Sequence, residues 1–253
     1  MSEQRRIGIV VQARMRSTRL PGKALINIAG KPLLLRLCER MKLSQRADDL
    51  IVATSEGKAD DQIADACDSW EVAVVRGPEQ DVTTRFLKAA RTRGLTAVVR
   101  VTADNPLTDP QGIDDLISAY VESKSPGQGG AALVHNAHRC GYPYGTGAEM
   151  AACSVLEECD HELTTPEERE NFMLFARRHP ERFHCIKRNA PPERFRPQYF
   201  LTVDFPEDLR LQAKIYQHFD GSNKVRLEEV ISFLDANLQL AEMNAHLHQQ
   251  YTE

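Results

Sequence analysis

The sequence predicts an α/β fold: a mostly parallel sheet with helices on both faces and a small loop-rich excursion. Short runs of Val and Ile alternate with segments whose apolar residues recur at helical spacing, and that alternation implies parallel strands joined by right-handed crossovers. The runs are apolar at consecutive positions, as strands covered on both faces must be. At 253 residues the chain can bury one full α/β core, and its length does not require a second domain.

The first strand ends at Gln12, where the apolar run stops and a cationic loop begins. Ligands of parallel sheets sit beyond the carboxyl ends of the strands, so the loop after Gln12 faces the expected site. It carries Arg14, Arg16, Arg19 and Lys23, with Pro21-Gly22 as a rigid turn followed by a residue free to adopt unusual backbone angles. Such a loop can wrap a polyphosphate with N–H groups and charged side chains, or can be a solvated basic surface. It is not the common P-loop, because Ala24 follows Gly22-Lys23 and Ser17 stands where the first glycine belongs.

Downstream, the leucines of 32–42 have helical spacing, 49–54 reads as the second strand, and 59–69 as a helix. A third strand over 71–75, a turn at 76–78 and a helix over 81–93 follow. The fourth strand, 97–102, ends in Ala103-Asp104-Asn105-Pro106. An acid directly after a buried strand lies at the carboxyl edge, so Asp104 is either a magnesium ligand or the cap of the turn before Pro106. A helix over 110–122, a polar connection over 123–130 and a fifth strand over 131–134 precede an aperiodic stretch, 135–147. Thr165-Pro166 opens a helix expected to run to Arg178, with Phe172, Met173 and Phe175 packing inward. A strand over 183–187 follows, and Arg188, Arg194 and Arg196 read as surface or as contacts to an anionic acceptor, with surface preferred. A buried strand over 199–203 then ends in Asp204, with Pro206 opening a helix through Phe219 in which Glu207 and Asp208 are first-turn acids. A last helix spans 225–238, and His246 and His248 read as surface.

A net charge of −4 with 27% charged residues argues against a nucleic-acid binder, because the basic charge is local. No apolar run reaches the roughly 20 residues that span a bilayer, and the N-terminus has too few for a signal peptide, which implies a cytoplasmic address. The six cysteines lack Cys-x-x-Cys or zinc-like spacing and read as reduced, apolar thiols.

Ala13-Arg14-x-x-Ser17-Thr18-Arg19-Leu20-Pro21-Gly22-Lys23, with Gly30-Lys31-Pro32-Leu33 after it, resembles the nucleotide-binding signature of the cytidylyltransferases that activate acidic sugars. Gln12 points to the branch that includes the spore coat polysaccharide biosynthesis F group. The resemblance extends to Asp104 and to Val203-Asp204-x-Pro206-Glu207-Asp208-Leu209. It implies a three-layer fold like that of nucleotide-diphospho-sugar transferases, over a single domain of residues 1–253 whose 135–200 stretch binds the acceptor and forms a homodimer. It also implies transfer of CMP from CTP to a sugar acid or similar small acceptor, with Asp104 and Asp204 holding Mg²⁺. Gln12, Ala13, Arg14, Ser17, Arg19, Lys23, Arg85 and Asp104 would bind the nucleotide; Lys23, Arg19, Asp104 and Asp204 would carry catalysis. Glu149 would contact the acceptor, as the acid retained in Tyr142-Pro143-x-Gly145-x-x-x-Glu149. Tyr144, Gly147 and Asn171 depart from the family pattern, the first two where acids are usual and the third where His is usual. A glycosyltransferase would show an Asp-x-Asp motif, which this chain lacks, and a non-catalytic nucleotide-binding protein would lose the two acids.

Overall fold

The computed structural model describes residues 5–123, 130, 132–137 and 139–248. The expected polar connection over 124–129, Ala131 of the expected fifth strand, and the tail after His248 lie outside the described residues.

Strand β1 (Ile7–Gln12) is buried over its first five residues, because its Ile and Val side chains are covered from both faces. A hairpin of β2 (Asn27–Ile28) and β3 (Lys31–Pro32) leads into α1 (Leu33–Met41). Then come β4 (Asp49–Ser55), α2 (Asp61–Ser69), β5 (Ala73–Gly77) and α3 (Val82–Arg93). The Asp81 carboxylate accepts the Thr84 N–H at 2.8 Å to cap α3, and Gly94 ends it in the left-handed region at φ 63°. Next are β6 (Ala97–Thr102), α4 (Pro110–Ser123), β7 (Leu133–His135), β8 (Glu149–Ala152) and α5 (Cys153–Glu162). The chain continues through α6 (Pro166–Glu170), α7 (Phe172–Arg178), β9 (Cys185–Lys187), α8 (Pro206–His218) and α9 (Leu227–Asp235).

Seven strands form the main sheet in the order β5-β4-β1-β6-β8-β7-β9. All pairs are parallel except those of β8, which runs antiparallel to both β6 and β7. This is the three-layer, mostly parallel α/β fold. One apolar cluster fills the two faces of the sheet. A second joins the hairpin, Leu107 and the segment before Asp204 to α8 and α9. The site therefore lies where two packed bodies of side chains meet, on the carboxyl edge of β1 and β6. Among the described residues no helix is long and apolar enough to cross a membrane. All six cysteines are free thiols, four of them buried.

Several sequence expectations change. Beside the helix and strand expected within 135–200, the stretch also supplies β8 and α5, which the sequence did not announce. The helix expected to run unbroken to Arg178 stops at Asn171, whose φ −115° and ψ 38° are not helical. The 199–203 segment is buried but joins no sheet, making a single isolated parallel bridge between Phe200 and Tyr144. Its backbone bonds instead to loops: Leu201 N–H donates to Tyr144 at 2.7 Å and Val203 N–H to Asp104 at 2.8 Å. Arg194 is largely buried rather than surface, paired with Asp109 at 2.9 Å and Glu228 at 2.6 Å. Arg196 pairs with Asp235, and Arg188 is exposed.

His135, at the end of β7, is buried, and burial followed by Arg177 and Lys187 depresses its pKa from 6.5 to about 4. The folded state thus binds fewer protons than the unfolded chain between those two values, so stability falls as pH drops through that window. Native protein should lose about 2 kcal/mol between pH 7 and pH 5 from this group. His135→Gln should flatten the dependence in urea titrations at both pH values, and an unchanged slope would exclude His135 as its source.

Candidate active site

A cavity of about 820 Å³ opens at the carboxyl ends of β1 and β6. Six basic residues line it, Arg14, Arg16, Arg19, Lys23, Arg100 and Arg177, against four acids, Asp104, Glu149, Glu170 and Asp204. The excess positive charge suits a polyanionic ligand.

The basic loop is shaped by its backbone. Gly22 sits at φ 74°, where a side chain would be strained, and its N–H donates to the Met15 carbonyl at 2.9 Å. The Asp60 carboxylate accepts the Met15 N–H at 2.6 Å and also the Ser55 hydroxyl, which ties the loop to the end of β4. Lys23 leaves this turn pointing back across the site. Its Nζ donates to Asp104 Oδ2 at 2.8 Å, Asp204 Oδ1 at 2.7 Å and the Val203 carbonyl at 2.9 Å. Arg19 reaches the other oxygen of Asp204 at 2.7 Å, with its guanidinium 5.5 Å from the centre of the Phe205 ring. Two acids 100 residues apart in the chain thus converge on one ammonium.

Burial pulls the Lys23 pKa down, but Asp104 and Asp204 outweigh it and hold the ammonium above its ordinary value. Burial likewise pushes the Asp204 carboxyl up, and Lys23 and Arg19 more than reverse this. Both charges are therefore fixed at neutral pH.

Asp204 is held from behind by the acid four residues on. Asp208 Oδ2 accepts the N–H groups of Asp204 and Phe205, both at 2.8 Å, closing the first turn of α8. Its other oxygen takes Asn244 Nδ2 at 2.7 Å and bonds His248 Nε2 at 2.9 Å. His248 is completely buried and stacks on Phe200 at 5.0 Å, which corrects its reading as a surface residue; His246 is exposed as expected. His248→Ala removes a bond to a buried carboxylate and leaves a cavity, and should cost about 2–4 kcal/mol. An unfolding midpoint equal to that of the parent would exclude this role.

The cavity wall formed by β6, β8 and α7 is also charged. Arg100, an arginine in the otherwise apolar β6, donates to Gln12 Oε1 at 3.1 Å and to Glu149 Oε2 at 3.0 Å. Glu149, directly opposite it in the register of β6 and β8, also pairs with Arg177 of α7. Arg14 crosses the opening to Glu170 at 2.8 Å, joining the basic loop to α6.

The structure therefore brings together Lys23, Arg19, Asp104 and Asp204, with Arg14 and Ser17 on the same wall. Gln12 lines the cavity with its side-chain oxygen taken by Arg100. Ala13 is buried beneath the loop, its N–H bonded to Ala53, and is not among the lining residues. Arg85 is fully buried behind the loop, likewise off the lining, and burial followed by Arg14 lowers its pKa. Glu149 reaches the cavity but is clasped by two arginines. Sequence reasoning missed Arg100 and Arg177. The signal for Arg100 was available, as a lone charge inside a buried strand.

The Cytidylyltransferase family model matches residues 8–247, which span both acids and the basic loop. The spore coat polysaccharide biosynthesis protein SpsF of Bacillus subtilis is 32% identical over 234 residues, 90% of this chain and 93% of that protein. A cytidylyltransferase from Leptospira borgpetersenii superposes with a TM-score of 0.86 at 28% identity, over 94% of this chain and 97% of that one. The CMP:2-keto-3-deoxy-manno-octonic acid synthetase solved with CTP shares the fold, with a TM-score of 0.60 at 17% identity, over 84% of this chain and 99% of that one. Because the family model matches nearly the whole chain, residues 8–247, this chain belongs to the cytidylyltransferases and is a nucleotidyltransferase.

Proposed function

We propose that the protein transfers CMP from CTP to an acidic sugar or related small acceptor, with Mg²⁺ and release of pyrophosphate, for a surface polysaccharide or glycan. The observation that carries this reading is the meeting of Asp104 and Asp204 at the Lys23 ammonium, at the rim of the basic loop. An acceptor oxygen attacks the α-phosphorus, the bond from that phosphorus to the oxygen bridging to the β-phosphate breaks, and pyrophosphate leaves with the electron pair. The reaction asks for alignment and charge neutralisation rather than a protein nucleophile. Arg14, Arg19 and Lys23 would draw charge from the leaving phosphates.

Among the described residues no group of three or more His, Cys, Asp or Glu forms a cage for a metal. Two converging carboxylates fit Mg²⁺ nonetheless, since that ion keeps water and phosphate ligands beside one or two protein acids. Asp104 and Asp204 would hold it, and when bound it supplies electrophilic activation of the phosphoryl oxygens. Lys23 would keep the two acids together and move its charge to phosphate when nucleotide enters. A cytoplasmic, homodimeric enzyme acting as one domain over residues 1–253 belongs to the same reading.

The test is pyrophosphate release from each of the four common nucleoside triphosphates, with Mg²⁺ and a panel of sugar acids, phosphonates and sugar phosphates. Release with CTP, with a CMP adduct of the acceptor by mass, is expected. Consumption of a nucleotide sugar in its place would favour a glycosyltransferase, and CTP binding without pyrophosphate from any acceptor would favour a binding protein.

A further inference from the structure

The cavity as a whole is lined by six basic side chains against four acids, and two of the six, Arg100 and Arg177, share Glu149. All three are deeply placed, with side chains 15%, 17% and 4% exposed. At Tyr144 and Gly147, where the resemblance leads one to expect acids, this chain has none. A carboxylate cannot be added at Gly147 without rearrangement, because a Cβ there would stand 2.7 Å from Ala137 Cα and 2.8 Å from the Asn136 carbonyl. Arg100 spends its guanidinium on Gln12 and Glu149 and is held still by them. Arg177 has Glu149 as its one ion-pair partner among the described residues, and it lines the cavity from α7.

We infer that Arg177, backed by Arg100, receives an oxyanion of the acceptor, and that Glu149 holds this pair in place instead of touching the acceptor. The inference rests on the transfer reading for the identity of the ligand as the acceptor, and on the cavity alone for its charge. A buried cation short of a counter-charge is costly, and an incoming oxyanion relieves that cost while gaining charge-assisted bonds to a planar guanidinium. The burial that penalises the free site also strengthens its discrimination, because a neutral analogue would leave the guanidinium desolvated and unpaired. Burial, reinforced by Arg100, lowers the Arg177 pKa to about 10, which leaves it charged at neutral pH. The shared ligand chemistry is an oxyanion, supplied by a sugar-acid carboxylate or by a phosphonate.

The full-length protein and its Arg177→Gln variant are compared with 3-deoxy-manno-octulosonate, the amide of that acid, and a phosphonate of similar size. In the wild type the acid or the phosphonate should be preferred over the amide by tenfold or more in kcat/KM, and which of the two is preferred identifies the group. In Arg177→Gln the KM for the preferred acceptor should rise at least tenfold with the KM for CTP within twofold, and the preference over the amide should shrink to near unity. Arg177→Lys, which keeps the charge, should restore part of that preference, a recovery that a merely structural role would not produce. Undiminished preference in Arg177→Gln, or an equal rise in both KM values, would overturn the inference. Titration calorimetry with the same three compounds reads the site without turnover. Heat from the acid or the phosphonate that exceeds that of the amide and is lost in Arg177→Gln supports the oxyanion site even if no pyrophosphate forms, a failure that falls on the transfer reading alone. Equal heats from all three compounds in the wild type would overturn the oxyanion site.

Discussion

Asp104→Asn is expected to lower pyrophosphate release from CTP by a hundredfold or more at saturating Mg²⁺. The substitution keeps the shape of the side chain and its ability to accept one hydrogen bond, so the fold around β6 should persist. What it removes is a charge at the point where Asp104 and Asp204 converge on the Lys23 ammonium, at 2.8 and 2.7 Å. Loss of a metal ligand or of charge stabilisation in the transition state is worth factors of this size. The Lys23 ammonium, held above its ordinary pKa by both acids, also loses one of its two anionic partners. Single-turnover pyrophosphate release separates this loss from slow product departure. Near-normal release in that experiment would remove Asp104 from the chemistry.

The largest effect on stability is expected at Glu149. Glu149→Ala leaves Arg100 and Arg177, whose side chains are only 15% and 17% exposed, without the carboxylate they share. Removing one partner of a buried ion pair costs about 3–5 kcal/mol, because the charge that remains cannot recover its lost hydration. Urea titration should show a midpoint lowered accordingly, with partial recovery when Arg177→Gln is added to Glu149→Ala. A midpoint equal to that of the parent would mean that the two arginines find water or another acid, and that Glu149 is not their counter-charge.

The residues that bear the chemistry were the easier part to read from the sequence. A buried strand that stops at Gln12 and becomes basic, and two acids placed directly after apolar runs, mark the carboxyl edge without any knowledge of the folded chain. The alternation of strand and helix through Thr102 was legible for the same reason, since local spacing decides it. Beyond that point the determinants are long-range. Glu149-Met-Ala-Ala152 has weak strand character of its own and becomes a central strand by pairing with β6 and β7. The 199–203 segment reads like a strand, yet its backbone bonds go to the loops at Tyr144 and Asp104, contacts that local spacing does not announce. His248 was misread because its partner, Asp208, lies 40 residues away and nothing in the intervening spacing announces the contact. Arg177 has no local mark at all, since an arginine near the end of a helix is ordinary on an exposed face.

The reversed direction of β8 has a consequence for how this fold can vary. A strand running against its neighbours delivers its first residue, rather than its last, to the edge where ligands bind, and that residue is Glu149 opposite Arg100. Sliding β8 by one position would turn Glu149 to the opposite side of the sheet and put an aliphatic side chain in front of the guanidinium groups. The charge pairing therefore acts as a pin on strand alignment. Insertions or deletions between β7 and β8 are tolerable only where the chain re-enters the sheet in phase.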